Sequence, residues 1–287
     1  MKLMEDETTY LIIPAAGLGK RMKPVNPKMP KEMLPIGNKP AIQYAVGEGL
    51  SAGIQNIVII INREKEIIRR YFTDRRFRQE FFPSALGDSR KIENECLITF
   101  LYQEDPLGES DAISLAEDVV GNHIAAIIYP DNIYLPAPGA LKILKAAFLK
   151  YKKDIAALTE VREENVYGFG NSGRVDLSPL EDNIFYIKRF LPKGNGYFVP
   201  RFKGELRTCG IVISSPYIFE YIKRIRELVA DGELTDVPVR SLILKEKGFL
   251  GCRLPGIVFD IGHPEGYKLC LSYIEKKTYQ KQSGTLV

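Results

Sequence analysis

The chain has 287 residues, of which 45% are hydrophobic, and a formal net charge of +4. This length and apolar fraction allow one substantial buried core and exclude an intrinsically disordered chain. The four cysteines, Cys96, Cys209, Cys252 and Cys270, form no C-x-x-C pair, and the chain has two histidines. We therefore expect neither a zinc site nor a disulfide framework, and the reducing cytoplasm is the predicted location.

Membrane and nucleic-acid partners are both disfavoured by the sequence. No apolar run approaches the roughly 20 residues of a membrane-spanning helix, and the first ten residues, MKLMEDETTY, lack the apolar core of a signal peptide. Arginines are concentrated in residues 63–78, but acidic residues interleave with them, and Ile67, Ile68, Tyr71 and Phe72 form an apolar helical face. We predict a solvated amphipathic helix there, with no membrane and no nucleic acid as partner.

The first predicted strand is the short β-branched run Leu11-Ile12-Ile13. It ends at the small-residue segment PAAGLG of residues 14–19, which Lys20 and Arg21 follow. Glycine lets backbone N–H groups come close to an anion, and the two cations add charge that the N–H dipoles lack. A second cationic cluster follows at Lys28, Lys31 and Lys39, in a segment that its prolines make stiff. We interpret residues 10–40 as a site for a polyanion such as a nucleoside triphosphate.

Two common phosphate-binding motifs do not fit this segment. A dinucleotide fingerprint requires a third glycine where Met22 stands. A P-loop requires Ser or Thr where Arg21 stands, and a glycine where Pro14 stands. The remaining alternative is an ordinary strand-turn-helix segment with surface lysines.

After this segment, apolar runs alternate with helical patterns along the chain. Strands are predicted at residues 56–61, 97–101, 123–129, 155–161 and 208–213, and helices at residues 41–52, 113–119 and 139–153. Strands that are apolar throughout and alternate with helices are typical of a parallel sheet covered on both faces. We therefore predict a Rossmann-like α/β fold with a mixed, mostly parallel sheet and helices on both faces.

Polar residues follow two of these strands. Ligands of open α/β sheets bind beyond the carboxyl ends of the strands, so Asp131, just after residues 123–129, is a candidate metal ligand. An Asp that caps a turn is the alternative. Gln103 follows the third strand, close to Gly108, and its amide offers a donor and an acceptor to a base. An exposed turn would also explain that pattern.

Read together, AAGLGKRMKP and PKEMLPIGNKPAIQYAVGEGLSAGI resemble the N-terminal signature of the nucleoside-triphosphate:sugar-1-phosphate nucleotidyltransferases, and PKEMLP is similar to their uridylyltransferase branch. Residues 233–236 resemble the family's Leu-Thr-Asp signature, and residues 260–267 its Asp-x-Gly-x-x-x-Gly-Tyr ending. The resemblance implies one nucleotidyltransferase domain at residues 1–275. Its nucleotide-binding part is expected at about residues 8–135 and its sugar-binding part at about residues 136–275, before a polar tail at residues 276–287.

The resemblance also implies roles for individual residues. The residues expected to bind the nucleotide are Ala15, Ala16, Gly17, Gly19, Lys20, Arg21, Lys31, Gln103 and Gly108. The residues expected to bind the sugar are Tyr167, Gly168, Lys188 and Gly210. Asp131 and Asp260 are the expected ligands of a Mg²⁺ cofactor, and the expected catalytic residues are Arg21, Lys31, Asp131 and Lys188.

The chain departs from the family pattern at two places. Ser110 and Asp111 stand where the uridylyltransferases usually have Gly-His. When Lys188 is aligned with the lysine of the family's Glu-Lys-Pro motif, Ile187 takes the position of the glutamate, which contacts sugar hydroxyls in the family.

The activity that the resemblance implies is the transfer of UMP from UTP to glucose 1-phosphate, which gives UDP-glucose and pyrophosphate. A thymidylyltransferase that uses dTTP is one alternative, because Gln103 cannot tell uracil from thymine. A non-catalytic protein of the same fold that senses nucleotide sugars is another. UTP and a hexose 1-phosphate are thus the expected partners, and a homodimer or homotetramer is the expected assembly.

Overall fold

The computed structural model describes residues 9–85, 92–162, 165–166, 169, 173–192, 200–229 and 232–282. The predicted sugar-binding residues Tyr167 and Gly168 lie outside the described residues. The strands are β1 (Thr9–Pro14), β2 (Pro35–Ile36), β3 (Lys39–Pro40), β4 (Asn56–Ile61), β5 (Leu97–Tyr102), β6 (Ile124–Ile128), β7 (Asn132–Leu135), β8 (Ile155–Glu160), β9 (Val175–Glu181), β10 (Ile184–Phe190), β11 (Leu206–Ser214), β12 (Leu250–Arg253) and β13 (Ile257–Asp260). The helices are α1 (Ala41–Ser51), α2 (Glu66–Thr73), α3 (Arg75–Phe81), α4 (Glu109–Ser114), α5 (Glu117–Val120), α6 (Ala140–Tyr151), α7 (Ile218–Leu228), α8 (Asp236–Lys247) and α9 (Pro264–Gln282).

A nine-stranded sheet forms the centre of the molecule, in the order β5-β4-β1-β6-β11-β8-β12-β10-β9. β1 pairs in parallel with β4 and β6, β4 with β5, and β8 with β12. β11 runs antiparallel between β6 and β8, and β10 runs antiparallel between β12 and β9. Buried side chains form a core on each face of this sheet. The predicted mixed, mostly parallel α/β fold is confirmed.

A separate two-stranded ribbon joins distant parts of the chain beside the main sheet. β7 follows β6 almost directly, and it pairs antiparallel with β13, near the end of the described chain. The register places Asp260 opposite Asn132. In addition, the backbone N–H of Ile261 donates to the carbonyl oxygen of Asp131 at 2.8 Å. The ribbon therefore brings the two predicted metal ligands to the same edge of the sheet.

Two helix predictions need correction, and a helix extends into the predicted polar tail. The prediction of a single amphipathic helix at residues 63–78 is wrong, because α2 ends at Thr73. The carboxylate of the next residue, Asp74, caps α3 by accepting from the N–H of Phe77 at 3.0 Å. The helix predicted at residues 113–119 begins earlier, at Glu109, and is divided into α4 and α5. α9 continues to Gln282 and so includes the beginning of the predicted polar tail. None of the helices in the described ranges is long and apolar enough to cross a membrane.

One buried carboxylate connects α1 to α6. Glu48 of α1 accepts hydrogen bonds from the N–H groups of Gly139, at 2.9 and 3.0 Å, and of Leu141, at 3.0 Å. Burial raises the pKa of Glu48 although these N–H groups oppose the shift. The first N–H groups of a helix have no partner within the helix, so Glu48 supplies the cap that the sequence of α6 lacks.

We predict that Glu48→Ala lowers the free energy of unfolding by about 2–3 kcal/mol, because it leaves buried N–H groups at the start of α6 without an acceptor. Glu48→Gln keeps one acceptor oxygen and should lose less. Urea unfolding measures both values, and Glu227→Ala, at an exposed position of α7, is the control, expected within ~0.5 kcal/mol of the parent protein. Equal stability of Glu48→Ala and the control would contradict this account.

Candidate active site

A cleft of about 480 Å³ opens at the carboxyl ends of β1 and β6. It lies where ligands are expected in an open α/β sheet. The structure brings together in its lining the following predicted site residues: Ala16, Gly17, Gly19, Lys20, Arg21, Lys31, Gln103, Gly108, Asp131, Gly210 and Asp260. These residues come from widely separated segments of the chain, and each segment contributes one part of the site.

Two predicted residues lie elsewhere. Ala15 is buried below the cleft, where its carbonyl oxygen accepts a hydrogen bond from Nζ of Lys65 at 2.7 Å. Lys188 is exposed on β10, with Nζ 5.4 Å from the centre of the Tyr186 ring, and it lines a separate groove with Ser241 and Lys245. The structure therefore does not bring Lys188 to the cleft.

The loop after β1 places cations at the mouth of the cleft. Gly19 has φ of +60°, a left-handed conformation that glycine adopts without strain, and a 3₁₀ helix at Lys20–Met22 follows directly. Lys20 and Arg21 are exposed, whereas Met22 is buried and anchors the turn. Both cations are thus held at the mouth of the cleft.

A buried ion pair supports this loop from below. Nζ of Lys65 is 2.9 Å from both carboxylate oxygens of Glu32, and the two side chains are 6% and 1% exposed. Burial lowers the pKa of Lys65, and the Glu32 carboxylate opposes that shift. Asn62 adds a hydrogen bond to the carbonyl oxygen of Ala16 at 2.6 Å. Sequence reasoning missed this support, which ties the glycine loop to the residue next to Lys31.

The two aspartates meet at one point of the cleft. Nζ of Lys31 is 2.5 Å from Oδ2 of Asp131. A Cβ atom added to Gly262 would lie 2.8 Å from Oδ1 of Asp260, 2.9 Å from Oδ2 of Asp131 and 3.3 Å from Nη2 of Arg21. A side chain at position 262 would therefore displace the two carboxylates, which surround this glycine together with the guanidinium of Arg21.

The pKa values of these groups follow from their contacts. Burial alone would raise the pKa of Asp131, but Lys31 and Arg21 outweigh it and the pKa is lowered. Burial and the neighbouring Asp131 together raise the pKa of Asp260. Burial would lower the pKa of Lys31, but Asp131, Glu32 and Asp260 outweigh it and the pKa is raised. Lys31 is thus a charged lysine beside two close carboxylates. A further positive charge nearby would stabilise the ionised form of Asp260.

The loop after β5 is docked onto the segment before α8. Gly108 has φ of +106°, and a Cβ there would lie 2.6 Å from the backbone of Leu234. The N–H of Leu234 donates to the carbonyl oxygen of Leu107 at 2.7 Å, and the N–H of Ser110 donates to that of Leu234 at 3.0 Å. The Leu-Thr-Asp segment therefore fixes the loop that carries Gln103 and Gly108.

The same segment contributes charged residues to the cleft that sequence reasoning did not assign. Nη1 of Arg240 is 2.9 Å from Oδ2 of Asp236, and the hydroxyl of Tyr129 donates to that carboxylate at 3.3 Å. Burial, followed by the Asp236 charge, raises the pKa of Tyr129. The Leu-Thr-Asp match was the available signal for Asp236, but no sequence pattern identified Arg240.

The far end of the cleft is lined by residues of β10 and β11 and by the two residues just before β9. Gly210 has φ of +72°, and a Cβ there would lie 2.6 Å from Nδ2 of Asn132, so Gly210 makes room for that amide. Gly173 and Arg174 precede β9 and also line the cleft. Nη2 of Arg174 donates to the carbonyl oxygen of Pro192 at 2.8 Å, and the described residues offer no partner to its buried Nε. No sequence pattern identified this cation.

Two apolar residues complete that end. Phe190 and Leu191 line the cleft, and they directly precede Pro192. They therefore stand at the positions that the Glu-Lys-Pro motif gives to its glutamate and lysine, if the motif is aligned on its proline. In that alignment, both family side chains are replaced by apolar ones.

Comparison with known proteins agrees with this geometry. The nucleotidyl transferase family matches residues 10–181. A UTP–glucose-1-phosphate uridylyltransferase of Staphylococcus saprophyticus is 30% identical over 280 residues, which are 96% of this chain and 95% of the relative. A UTP–glucose-1-phosphate uridylyltransferase of Bacillus subtilis is 28% identical over 261 residues, 89% of this chain and 87% of the relative.

A solved structure leads to the same family. The crystal structure of a UDP-glucose pyrophosphorylase complexed with UDP-glucose is similar with a TM-score of 0.77 and 30% sequence identity. The similarity covers 93% of this chain and 99% of that chain. Together with the cleft, its cationic loop and its paired aspartates, these matches show that the chain belongs to the nucleotidyl transferase family of enzymes.

Proposed function

We propose that this enzyme transfers UMP from UTP to glucose 1-phosphate and releases pyrophosphate. The observation that carries the proposal is the meeting of Lys31 and Arg21 with the carboxylates of Asp131 and Asp260 in a cleft at the carboxyl edge of the sheet. The names of the relatives and of the similar structure support the choice of uridine and glucose.

The chemistry needs little proton transfer. A sugar 1-phosphate has a second pKa near 6, so at neutral pH it is already a dianion and requires no general base. The obstacle is electrostatic, because a dianion has to approach the α-phosphate of a polyanion. The protein therefore has to neutralise, align and hold the two reactants in line.

The residues of the cleft suit these tasks. Arg21 and Lys20 are exposed at the mouth and would bind the β- and γ-phosphates that leave as pyrophosphate. Lys31 carries a full positive charge beside Asp131 and would compensate the charge that develops on the α-phosphate. Backbone N–H groups at Gly17 and Gly19 would contact the phosphates closely, because neither glycine presents a side chain.

The donor set also fits Mg²⁺. The described residues contain no cluster of three or more Asp, Glu, His or Cys side chains suited to a metal ion. Mg²⁺, however, is commonly held by one or two carboxylates together with substrate phosphates. Asp131 and Asp260 provide two carboxylates around one point. Burial and the charge of Asp131 both raise the pKa of Asp260, and a cation would offset both effects. The ion would supply positive charge between the two reacting phosphates.

A different cation from the expected one would hold the sugar phosphate. Lys188 lies outside the cleft, whereas Arg174 lines it beside Phe190 and Leu191. Arginine presents several N–H donors in a planar fork that suits phosphate oxygens. We therefore assign the sugar phosphate to Arg174.

Two alternatives share the fold. A dTTP-dependent thymidylyltransferase would use the same cleft, since uracil and thymine differ by one methyl group. A sensing protein would bind UTP without turnover, but the retention of both aspartates favours catalysis. We further propose that the enzyme works in the cytoplasm, in keeping with its free cysteines, and as a homodimer or homotetramer.

The first prediction concerns the paired carboxylates. We expect Asp131→Asn to lower kcat for pyrophosphate release from UTP and glucose 1-phosphate by about a hundredfold or more, because it removes one charge that holds Lys31 and the cation. Asp182→Asn, in the exposed turn between β9 and β10, is the matched control with the same loss of charge. Turnover should also stop when EDTA removes Mg²⁺.

The same assay tests the alternatives. It crosses UTP and dTTP with glucose 1-phosphate and other sugar 1-phosphates. Faster turnover with dTTP would favour the thymidylyltransferase. Silence across the whole panel, in a chain that still binds UTP, would favour the sensing protein.

The second prediction separates the two candidate cations. We expect Arg174→Ala to raise KM for glucose 1-phosphate by about 10- to 100-fold, the effect of losing a hydrogen-bonded charge, with little change in KM for UTP. Lys188→Ala should change both constants less than about twofold, because Lys188 is exposed outside the cleft. The opposite pattern, with the loss at Lys188→Ala, would return the sugar phosphate to Lys188. Steady-state kinetics with each substrate varied in turn provide the measurement.

A further inference from the structure

Asp111 departs from the family pattern, and the structure gives it a specific contact. Nε2 of Gln103 lies 2.5 Å from Oδ2 of Asp111 and 3.1 Å from the carbonyl oxygen of Gly108. Gln103 and Asp111 are both buried. The other carboxylate oxygen of Asp111 accepts from Nη2 of Arg226, which comes from α7. Asp111 therefore lies between the side-chain amide of Gln103 and the guanidinium of Arg226.

These contacts determine which way the amide of Gln103 faces. A side-chain amide has a nitrogen that donates two hydrogen bonds and an oxygen that only accepts. Both neighbours are acceptors, since a carboxylate paired with an arginine has no proton to donate and a carbonyl oxygen has none. Turning the amide over would place oxygen against oxygen at both contacts. Only one orientation is therefore compatible with Asp111 and Gly108.

The backbone of Gln103 is fixed as well. Its N–H donates to the carbonyl oxygen of Ile61 at 2.9 Å, at the end of the parallel pair β4–β5. Both donors of its amide are used within the protein, and in the part of the chain that the structure describes no group donates to Oε1. Gln103 nevertheless lines the cleft together with Gly108. The oxygen is thus the part of the amide that remains for a ligand.

We propose that Asp111 is a positioning residue that locks the amide of Gln103 with its oxygen toward the nucleotide base, and so selects uracil or thymine over cytosine. The inference deepens the proposed function and rests on it for the place of the base. Uracil and thymine present an N–H at ring position N3, which an amide oxygen accepts. Cytosine presents a lone pair there, which repels an amide oxygen. A glutamine side chain without these contacts could turn its amide and bind either base.

Two variants and one control test the lock. Asp111→Asn replaces the carboxylate by a group that can also donate. This removes the shorter of the two contacts that oppose a turned Gln103 amide and leaves that with the carbonyl oxygen of Gly108. Arg226→Gln changes a side chain that is 42% exposed, and it weakens the hold on Asp111 while leaving the carboxylate in place. Glu117→Gln is the matched control, because Glu117 pairs with Lys223 of the same helix α7 and its change removes the same charge.

The measurement is the affinity of the full chain for UTP and for CTP by titration calorimetry with Mg²⁺. We expect the parent protein and Glu117→Gln to prefer UTP. In Asp111→Asn the UTP:CTP affinity ratio should fall about tenfold, the effect of one hydrogen bond made or lost, and in Arg226→Gln it should fall by a smaller factor. A parent protein without preference, or ratios in both variants equal to that of Glu117→Gln, would overturn the proposal.

Binding separates this inference from the proposed function. A chain that prefers UTP and loses the preference in Asp111→Asn, but that never releases pyrophosphate, would support the lock and refute the transferase. If all variants turn over UTP and the UTP:CTP ratio of kcat/KM is the same in each, the transferase is supported and the role of Asp111 is refuted.

Discussion

The proximity of two buried carboxylates is the constraint on which the site depends. Two like charges about 4 Å apart repel by roughly 4 kcal/mol at the effective dielectric constant of a protein site. Asp131 and Asp260 meet around Gly262, and burial together with the charge of Asp131 raises the pKa of Asp260. Lys31 and Arg21 compensate it in part. The cleft is thus arranged for positive charge at the point where two phosphates have to meet.

The fold maintains this arrangement through separate supports. Parallel pairing of β1, β4 and β6 directs the loops after these strands to the same edge. The ribbon of β7 and β13 brings Asp260 beside Asp131 from a distant part of the chain. Below the glycine loop, Lys65 and Glu32 form a buried pair, which holds both Ala15 and the segment of Lys31. Removing one partner of such a pair is costly, because the other charge stays buried alone.

The sequence predicted the parts of the site whose signal is local. Residues 56–61 form a strand within the predicted bounds, since six consecutive residues carry the apolar pattern themselves. The contact of Lys31 with Asp131 joins positions 100 residues apart, and no local pattern encodes it. Lys188 shows a second limit. The pairing of β10 with β9 shifts register between Ile187 and Arg189, and such a shift decides which side chain faces the cleft without leaving a signal in the residue types.

The two ends of the cleft match the family motifs to different degrees. The proposed reaction is compatible with this difference. At the nucleotide end the glycine loop, its cations and the aspartates match the family motifs, and in the proposed reaction the charge of the triphosphate is the same whatever sugar is used. At the other end the apolar side chains of Phe190 and Leu191 line the cleft just before Pro192, and Arg174 lines it from the segment before β9. In-line transfer requires that the attacking phosphate is held, but not that a particular side chain holds it. A cation can therefore move from one strand to its neighbour while the reaction stays the same, and the hydroxyl contacts that identify the sugar change independently of it.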